Sequence, residues 1–370
     1  MHINIIYRKF LSDDGEEITI GGIQTYISML SKLCLEQDRA VRVYQYAKKD
    51  FKKIINGIEV IGVNVNGIKK ESNKKKKLFN SCIEYFDQKN DILIFACESM
   101  VVANNIQRSI AIQHGIHWDV KSHENYSSTL NRIYLFKKAI KANRLIKRIQ
   151  KVSKIVCVDH NFINWYRSQV AYEDVDFHVI PNCTDIPVCK VKEEKVLKII
   201  FARRLVERRG TSLIAKTIPH LLNNYDNIKV TIAGEGPELD FLKNSFKNQP
   251  RVEFMKYNQS QSLEIHQDHD IALVPTIGSE GTSLSLLEAM ASNCAVIATN
   301  VGGMTNIILD NYNGLLIKPN ETDLYESIVK LVEDKKLRNR LSTNAYSTVS
   351  HAFNKTLWEE KWHKIFQGFV

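Results

Sequence analysis

The sequence predicts an α/β protein of two domains, each a parallel sheet wound with crossover helices, and three observations carry that prediction. The chain has 370 residues, enough for two domains that each bury a core. Short apolar runs rich in β-branched and aromatic residues alternate with stretches of helical periodicity, the order that parallel strands and their crossovers require. The alternation stops near Pro181-Asn182-Cys183-Thr184-Asp185-Ile186-Pro187 and resumes at Val196, so a linker divides the series.

Taken in order, residues 3–7 read as the first strand, and Gly21-Gly22 leads into a helix over 22–36. Runs at 41–46, 92–96, 110–113, 155–158 and 177–180 supply further strands, with helical patterns at 131–150 and 161–168. The Asn-, Lys- and Ser-rich stretch 66–80 reads as a mobile loop. Beyond the linker, Val196-Leu197-Lys198-Ile199-Ile200-Phe201 opens the second series, and Ala233-Gly234-Glu235-Gly236-Pro237 closes its next strand in a tight turn. Asp270-Ile271-Ala272-Leu273-Val274-Pro275 is a buried strand, followed by a helix that runs through Ala289-Met290-Ala291. Another buried strand, Ala295-Val296-Ile297-Ala298, ends at Asn300-Val301-Gly302-Gly303. The expected domains are 1–187 and 188–352, with a final helix in 353–370, carrying Trp358 and Trp362, crossing back onto the first.

Composition narrows the class. Hydrophobic content of 44% and charged content of 25% are those of a soluble globular protein, and no run of about 18 uncharged apolar residues predicts a membrane span. Met1-His2-Ile3-Asn4-Ile5-Ile6-Tyr7 goes directly into a strand pattern, so no signal peptide and a cytoplasmic location are expected. Seven scattered cysteines without a Cys-x-x-Cys pair predict reduced thiols and neither a disulfide frame nor a zinc site. The net charge of +10 concentrates in the first half, as in Lys74-Lys75-Lys76-Lys77 and Lys141-Ala142-Asn143-Arg144-Leu145-Ile146-Lys147-Arg148. No nucleic-acid-binding motif accompanies it, so no nucleic acid partner is expected. The charge reads either as a solvated face or as one suited to an anionic membrane surface.

The densest chemistry lies in Glu280-Gly281-Thr282-Ser283-Leu284-Ser285-Leu286-Leu287-Glu288, where a strand, a small-residue turn and a helix follow one another. Free N–H groups and the positive end of a helix dipole make such a turn an anion site, with Ser283 and Ser285 as candidate caps. The same spacing also fits an ordinary turn bearing two surface glutamates. Asp174-Val175-Asp176 and Asp268-His269-Asp270 match an Asp-x-Asp metal pattern too short to be specific, and no metal site is assigned.

With its Ala-Met-Ala, following strand and Gly-Gly turn, this passage resembles the nucleotide-sugar signature of retaining glycosyltransferases of the GT-B fold, in particular the family 4 group. The resemblance implies two Rossmann-like domains facing a central cleft. It implies transfer of a sugar from a nucleotide diphosphate sugar to a saccharide or lipid-linked saccharide, as in bacterial surface polysaccharide synthesis, with no metal or other cofactor. Phe201-Ala202-Arg203-Arg204-Leu205-Val206-Glu207-Arg208-Arg209-Gly210 is similar to the family's diphosphate clamp, which places Arg204 and Arg209 on the donor phosphates. The family's usual Lys is Arg209, and Arg203 stands where glycine is common. Glu280 is then expected on the donor sugar and Glu288 on the ribose, with Gly281, Thr282, Ser283 and Leu284 along the phosphate turn. Gly21 and Gly22 resemble the glycine-rich loop on the sugar-phosphate side, Gly234 shapes a neighbouring turn, and His114 takes the position of a His beside the reacting sugar, with His117 the competing choice. A nucleotide-sugar 2-epimerase and a non-catalytic nucleotide- or glycan-binding partner are the alternatives on the same architecture.

Overall fold

A computed structural model describes residues 1–12, 15–19, 21–116, 128–170, 175–189, 196–278 and 280–369. The chain divides into two compact units: Met1–His114 with the stretch up to Ile180 and the residues from His363 onward, and a second unit containing Pro181–Trp362.

The first unit contains β1 (His2–Ile6), α1 (Gly22–Leu35), β2 (Ala40–Ala47), β3 (Phe51–Ile55), β4 (Ile58–Asn64), α2 (Glu71–Ile83), β5 (Ile92–Phe95), β6 (Ser109–Gln113), α3 (Ser128–Ile149), β7 (Lys154–Cys157), α4 (Asn161–Arg167) and β8 (Asp176–Val179). Its eight strands lie in the order β3-β4-β2-β1-β5-β6-β7-β8. Every pairing is parallel except β3 with β4. That edge hairpin turns at Asn56-Gly57, both with positive φ (51° and 78°), the type I′ geometry whose twist matches paired strands. The sequence reading passed over it, although an Asn-Gly pair between two β-rich runs is its usual signal. The stretch expected as a loop over 66–80 is helical from Glu71. Leu78 and Cys82, four residues apart, bury one face of α2, and Phe79 stacks on Phe95 of β5 at 6.3 Å. Lysine sustains a helix well, so the Lys-rich stretch that looked like a loop is helical: Lys76 and Lys77 are exposed on α2, while the half-buried Lys75 donates to the Ser99 carbonyl.

The second unit contains β9 (Leu197–Ala202), α5 (Thr211–Asn224), β10 (Ile228–Ala233), α6 (Leu239–Ser245), β11 (Val252–Met255), α7 (Ser262–Gln267), β12 (Ile271–Val274), α8 (Leu284–Ala291), β13 (Ala295–Thr299), β14 (Leu315–Ile317), α9 (Glu321–Glu333) and α10 (Lys335–Ala352). Its six strands run in the order β11-β10-β9-β12-β13-β14, all parallel. Side chains alternate across this sheet. Ile199, Phe201, Ile271, Leu273 and Ile297 pack on one face with Ile214, Ile218 and Leu221 of α5 and Leu324 and Ile328 of α9. Ile200, Ala202, Ala272, Val274 and Val296 pack on the other with Leu286, Leu287 and Met290 of α8 and Val349 of α10. A sheet covered on both faces explains why its strands read as unbroken apolar runs. Each fully buried aliphatic side chain contributes about 1.5–3 kcal/mol.

A last helix, α11 (Lys355–Gln367), carries Trp358 and Trp362 within the second unit, their ring centroids 6.2 Å apart and the rings inclined at 61°. From His363 the residues group with the first unit, where Gln37 Nε2 lies 2.6 Å from His363 Nδ1 and the Arg39 guanidinium sits over the Phe366 ring. Among the described residues no disulfide joins the seven cysteines; six are buried and Cys189 is exposed.

Candidate functional site

In an open parallel sheet, ligands bind beyond the carboxyl ends of the strands where the winding changes direction. In the second unit the chain winds from β9 to β10 and β11 on one side and then to β12, β13 and β14 on the other, so the switch falls between β9 and β12. The segments leaving those two strands are Arg203–Gly210 and Pro275–Ser283, the stretches that carry the charged sequence motifs.

They converge on Glu280, whose side chain is 10% exposed. Arg203 Nη2 donates to Oε2 at 2.9 Å and Oε1 at 3.2 Å, and the Thr276 hydroxyl donates to Oε2 at 2.9 Å. Arg203 Nη1 donates in turn to Thr276 Oγ1 at 2.7 Å, and Arg209 pairs with Oε1 from the other side. Burial pushes the Glu280 carboxyl up, but the Arg209 and Arg203 guanidiniums and the Thr276 hydroxyl outweigh it and hold its pKa at about 2. Glu280 is therefore ionised throughout the neutral range, an acceptor of hydrogen bonds and a poor proton donor.

The turn after Glu280 is held by its backbone. Gly303 N–H donates to the Glu280 carbonyl at 2.6 Å, and Asn182 Nδ2 donates to the Thr282 carbonyl at 2.5 Å. Gly302 has φ of 52°, and a Cβ there would come within 2.1 Å of the Glu280 carbonyl oxygen, so only glycine fits this close approach. Gly281, Thr282 and Ser283 are buried and Leu284 opens α8. Ser283 occupies the N-cap position, yet its side chain makes no capping bond; its hydroxyl lies 3.2 Å from that of Ser285. The first turn of α8 thus presents main-chain N–H groups at the switch point. Glu288, one turn into the helix and 6% exposed, accepts a hydrogen bond from Ser262 Oγ at 2.6 Å. Burial and the nearby Glu288 raise the Tyr257 phenol.

The other sequence candidates fall as follows. Arg204 is exposed, while its neighbour Arg203 turns inward to Glu280. Gly234 follows β10 with φ of 137°, and a Cβ on it would reach within 2.1 Å of the Arg203 carbonyl. In the first unit, Gly21 and Gly22 open α1, and His114 follows β6 with Nε2 2.9 Å from the Ala96 carbonyl and its ring edge-on to Tyr26 at 5.2 Å. His117 and Asp174 lie outside the described residues. Asp176 pairs with Lys154 and His178, and Asp270 accepts the Lys198 N–H, so both anchor strands. Sequence reasoning missed Arg203, Thr276 and Ser262 as partners of the two glutamates. For Arg203, a charge at the carboxyl end of a buried parallel strand was the available signal.

Two doubly wound, mainly parallel sheets form a GT-B fold, the fold class of solved glycosyltransferases. More particularly, residues 185–348 match the family of glycosyl transferases group 1. An uncharacterized glycosyltransferase of Methanocaldococcus jannaschii is 26% identical over 276 residues, 71% of this chain and 69% of the relative. The phosphatidylinositol N-acetylglucosaminyltransferase gpi3 subunit of Schizosaccharomyces pombe is 24% identical over 343 residues, 88% of this chain and 73% of the relative. The fold is shared with Anabaena Alr3699/HepE, solved in complex with UDP, at a TM-score of 0.68 and 16% identity over 100% of both chains.

Proposed function

We propose that the protein is a retaining glycosyltransferase of family 4 type that transfers a sugar from a uridine diphosphate sugar to a saccharide or lipid-linked saccharide, without a metal ion. The observation that carries this reading is the ionised, arginine-bound Glu280 at the β9/β12 switch point, immediately before the α8 terminus. In this reading the diphosphate lies against the first turn of α8 with Arg204 and Arg209, and those cations stabilise it as the glycosidic bond breaks. Glu280 accepts hydrogen bonds from hydroxyls of the donor sugar and Glu288 from the ribose. A carboxyl held near 2 is too weak a base to take the acceptor's proton. The departing phosphate takes it instead, and the acceptor enters on the face the phosphate leaves, which retains the anomeric configuration. His114 and the Gly21-Gly22 loop serve the transfer step in the first unit. The UDP-bound neighbour supports uridine as the base, and the relative named for phosphatidylinositol supports a lipid-linked acceptor.

Calorimetry with UDP, and donor turnover measured with and without EDTA, test this directly. UDP is expected to bind, and activity to survive chelation. Absence of UDP binding sinks the nucleotide assignment; activity lost to EDTA and restored by magnesium or manganese sinks the metal-free mechanism.

The proposed setting is bacterial surface polysaccharide synthesis at the inner face of the membrane. Among the described residues no helix is long and apolar enough to cross a membrane. The exposed Lys76 and Lys77 of α2 and Lys137, Lys141, Arg144 and Lys147 of α3 offer an electrostatic alternative. Each basic residue near an anionic surface contributes about 1 kcal/mol, screened over about 8 Å at physiological salt. Binding to vesicles containing anionic lipid should therefore weaken steeply with salt, and further in Lys76→Glu/Lys77→Glu. Equal binding to neutral vesicles, or none to either, removes the membrane role.

A further inference from the structure

We propose that Arg203 is a positioning residue that keeps Glu280 ionised and oriented while Arg209 moves from Glu280 to the donor diphosphate. The inference rests on the reading above, in which Arg209 serves the diphosphate and Glu280 the sugar. One carboxylate faces two guanidiniums, and they are not equivalent. Arg203 is 4% exposed and braced twice, directly through Nη2 and indirectly through Nη1, the Thr276 hydroxyl and Glu280 Oε2. Its backbone is fixed as well: Arg203 N–H donates to the Ala233 carbonyl at 3.0 Å, and Gly234 packs against its own carbonyl. Arg209 is 21% exposed, lies in the short turn after β9, and pairs with Oε1 of the same carboxylate. An arriving diphosphate, with more negative charge than one carboxylate, draws the freer cation.

Once Arg209 departs, Glu280 needs a counter-ion, because a buried carboxylate left without one takes up a proton or turns away. Arg203 supplies it. Stability alone does not account for Arg203 at this position. Burial, together with the neighbouring Arg209 charge, lowers its pKa to about 10 despite the attraction of Glu280. Buried pairs of this kind are weak sources of stability. What the pair provides is a fixed, charged acceptor whose geometry survives the exchange of Arg209.

The test compares wild type, Arg203→Gln and Arg203→Lys. It measures UDP affinity by calorimetry, UDP release from UDP-glucose and UDP-N-acetylglucosamine across pH 4–8, and melting temperature. Arg203→Gln should leave UDP affinity within about twofold, lower kcat tenfold or more, and move the acid limb of the pH profile upward. Arg203→Lys, which keeps the charge, should recover part of kcat and of the acid limb. Equal losses in UDP affinity and kcat would mean that Arg203 touches the diphosphate itself and overturn the proposal. A lower melting temperature with unchanged kcat and pH profile would reduce Arg203 to a structural role and overturn it equally. Wild-type protein that neither binds UDP nor releases it from either donor would defeat the glycosyltransfer reading first, an outcome distinct from any difference among the variants.

Discussion

Glu280→Gln should depress turnover of an intact donor by about 100-fold while leaving the affinity for free UDP unchanged or tighter. UDP lacks the transferable sugar assigned to Glu280, and neutralising the carboxylate releases Arg209 toward the phosphates. The sugar in turn loses a charged acceptor, worth about 1.5–3 kcal/mol for each hydrogen bond it forms. Stability should fall too, because Arg203 remains buried opposite a neutral amide; removing one partner of a buried pair commonly destabilises by about 3–5 kcal/mol. The pH dependence has a definite sign. With a folded-state value of about 2, below the ordinary 4.5, the carboxylate's contribution is fully present above about pH 4.5 and is lost as pH falls toward 2. Melting curves of wild type should therefore drop more steeply than those of Glu280→Gln over that interval. Normal turnover in the variant, or a UDP affinity that falls in step with turnover, would contradict the role given to Glu280.

The second large effect is expected on the nucleotide. Glu288→Gln should weaken UDP about tenfold or more, since in the proposed reading a carboxylate that accepts from the ribose hydroxyls is exchanged for an amide. Its carboxylate already receives the Ser262 hydroxyl, so Ser262→Ala is the control. If that variant loses as much UDP affinity as Glu288→Gln, the glutamate acts by tying α8 to α7 and does not contact the ribose.

The α/β alternation was legible because both sheets are covered on two faces, so that β5 or β12 appears as a short unbroken apolar run. The doubly wound order of the strands was not, since a run of apolar residues carries no record of its neighbour in the sheet. At α2, composition masked periodicity: four consecutive lysines dominated the reading, whereas the burial of Leu78 and Cys82 on one face decides the structure. The Glu280–Glu288 passage was legible through its small-residue turn and the helix that follows. Its partners were not. Successive side chains at a strand end point to opposite sides, and spacing alone does not reveal which of Arg203 and Arg204 turns inward. Thr276 and Ser262 are ordinary residues whose roles come only from what the fold sets beside them.

The thiols have a practical consequence. Burial pushes Cys34 and Cys183 up to about 12 and raises Cys82, Cys97 and Cys157 as well, while Cys294 is enclosed and donates to the His266 and His269 carbonyls. Attack on an electrophile requires an accessible thiolate, which these six sulfurs do not offer in the folded chain. Cys189 is exposed, and it lies shortly after the boundary at Pro181 between the two compact units. A maleimide dye should therefore attach to the native protein at a single sulfur without any engineered cysteine, giving a reporter next to the junction. Labelling beyond one equivalent would then register unfolding.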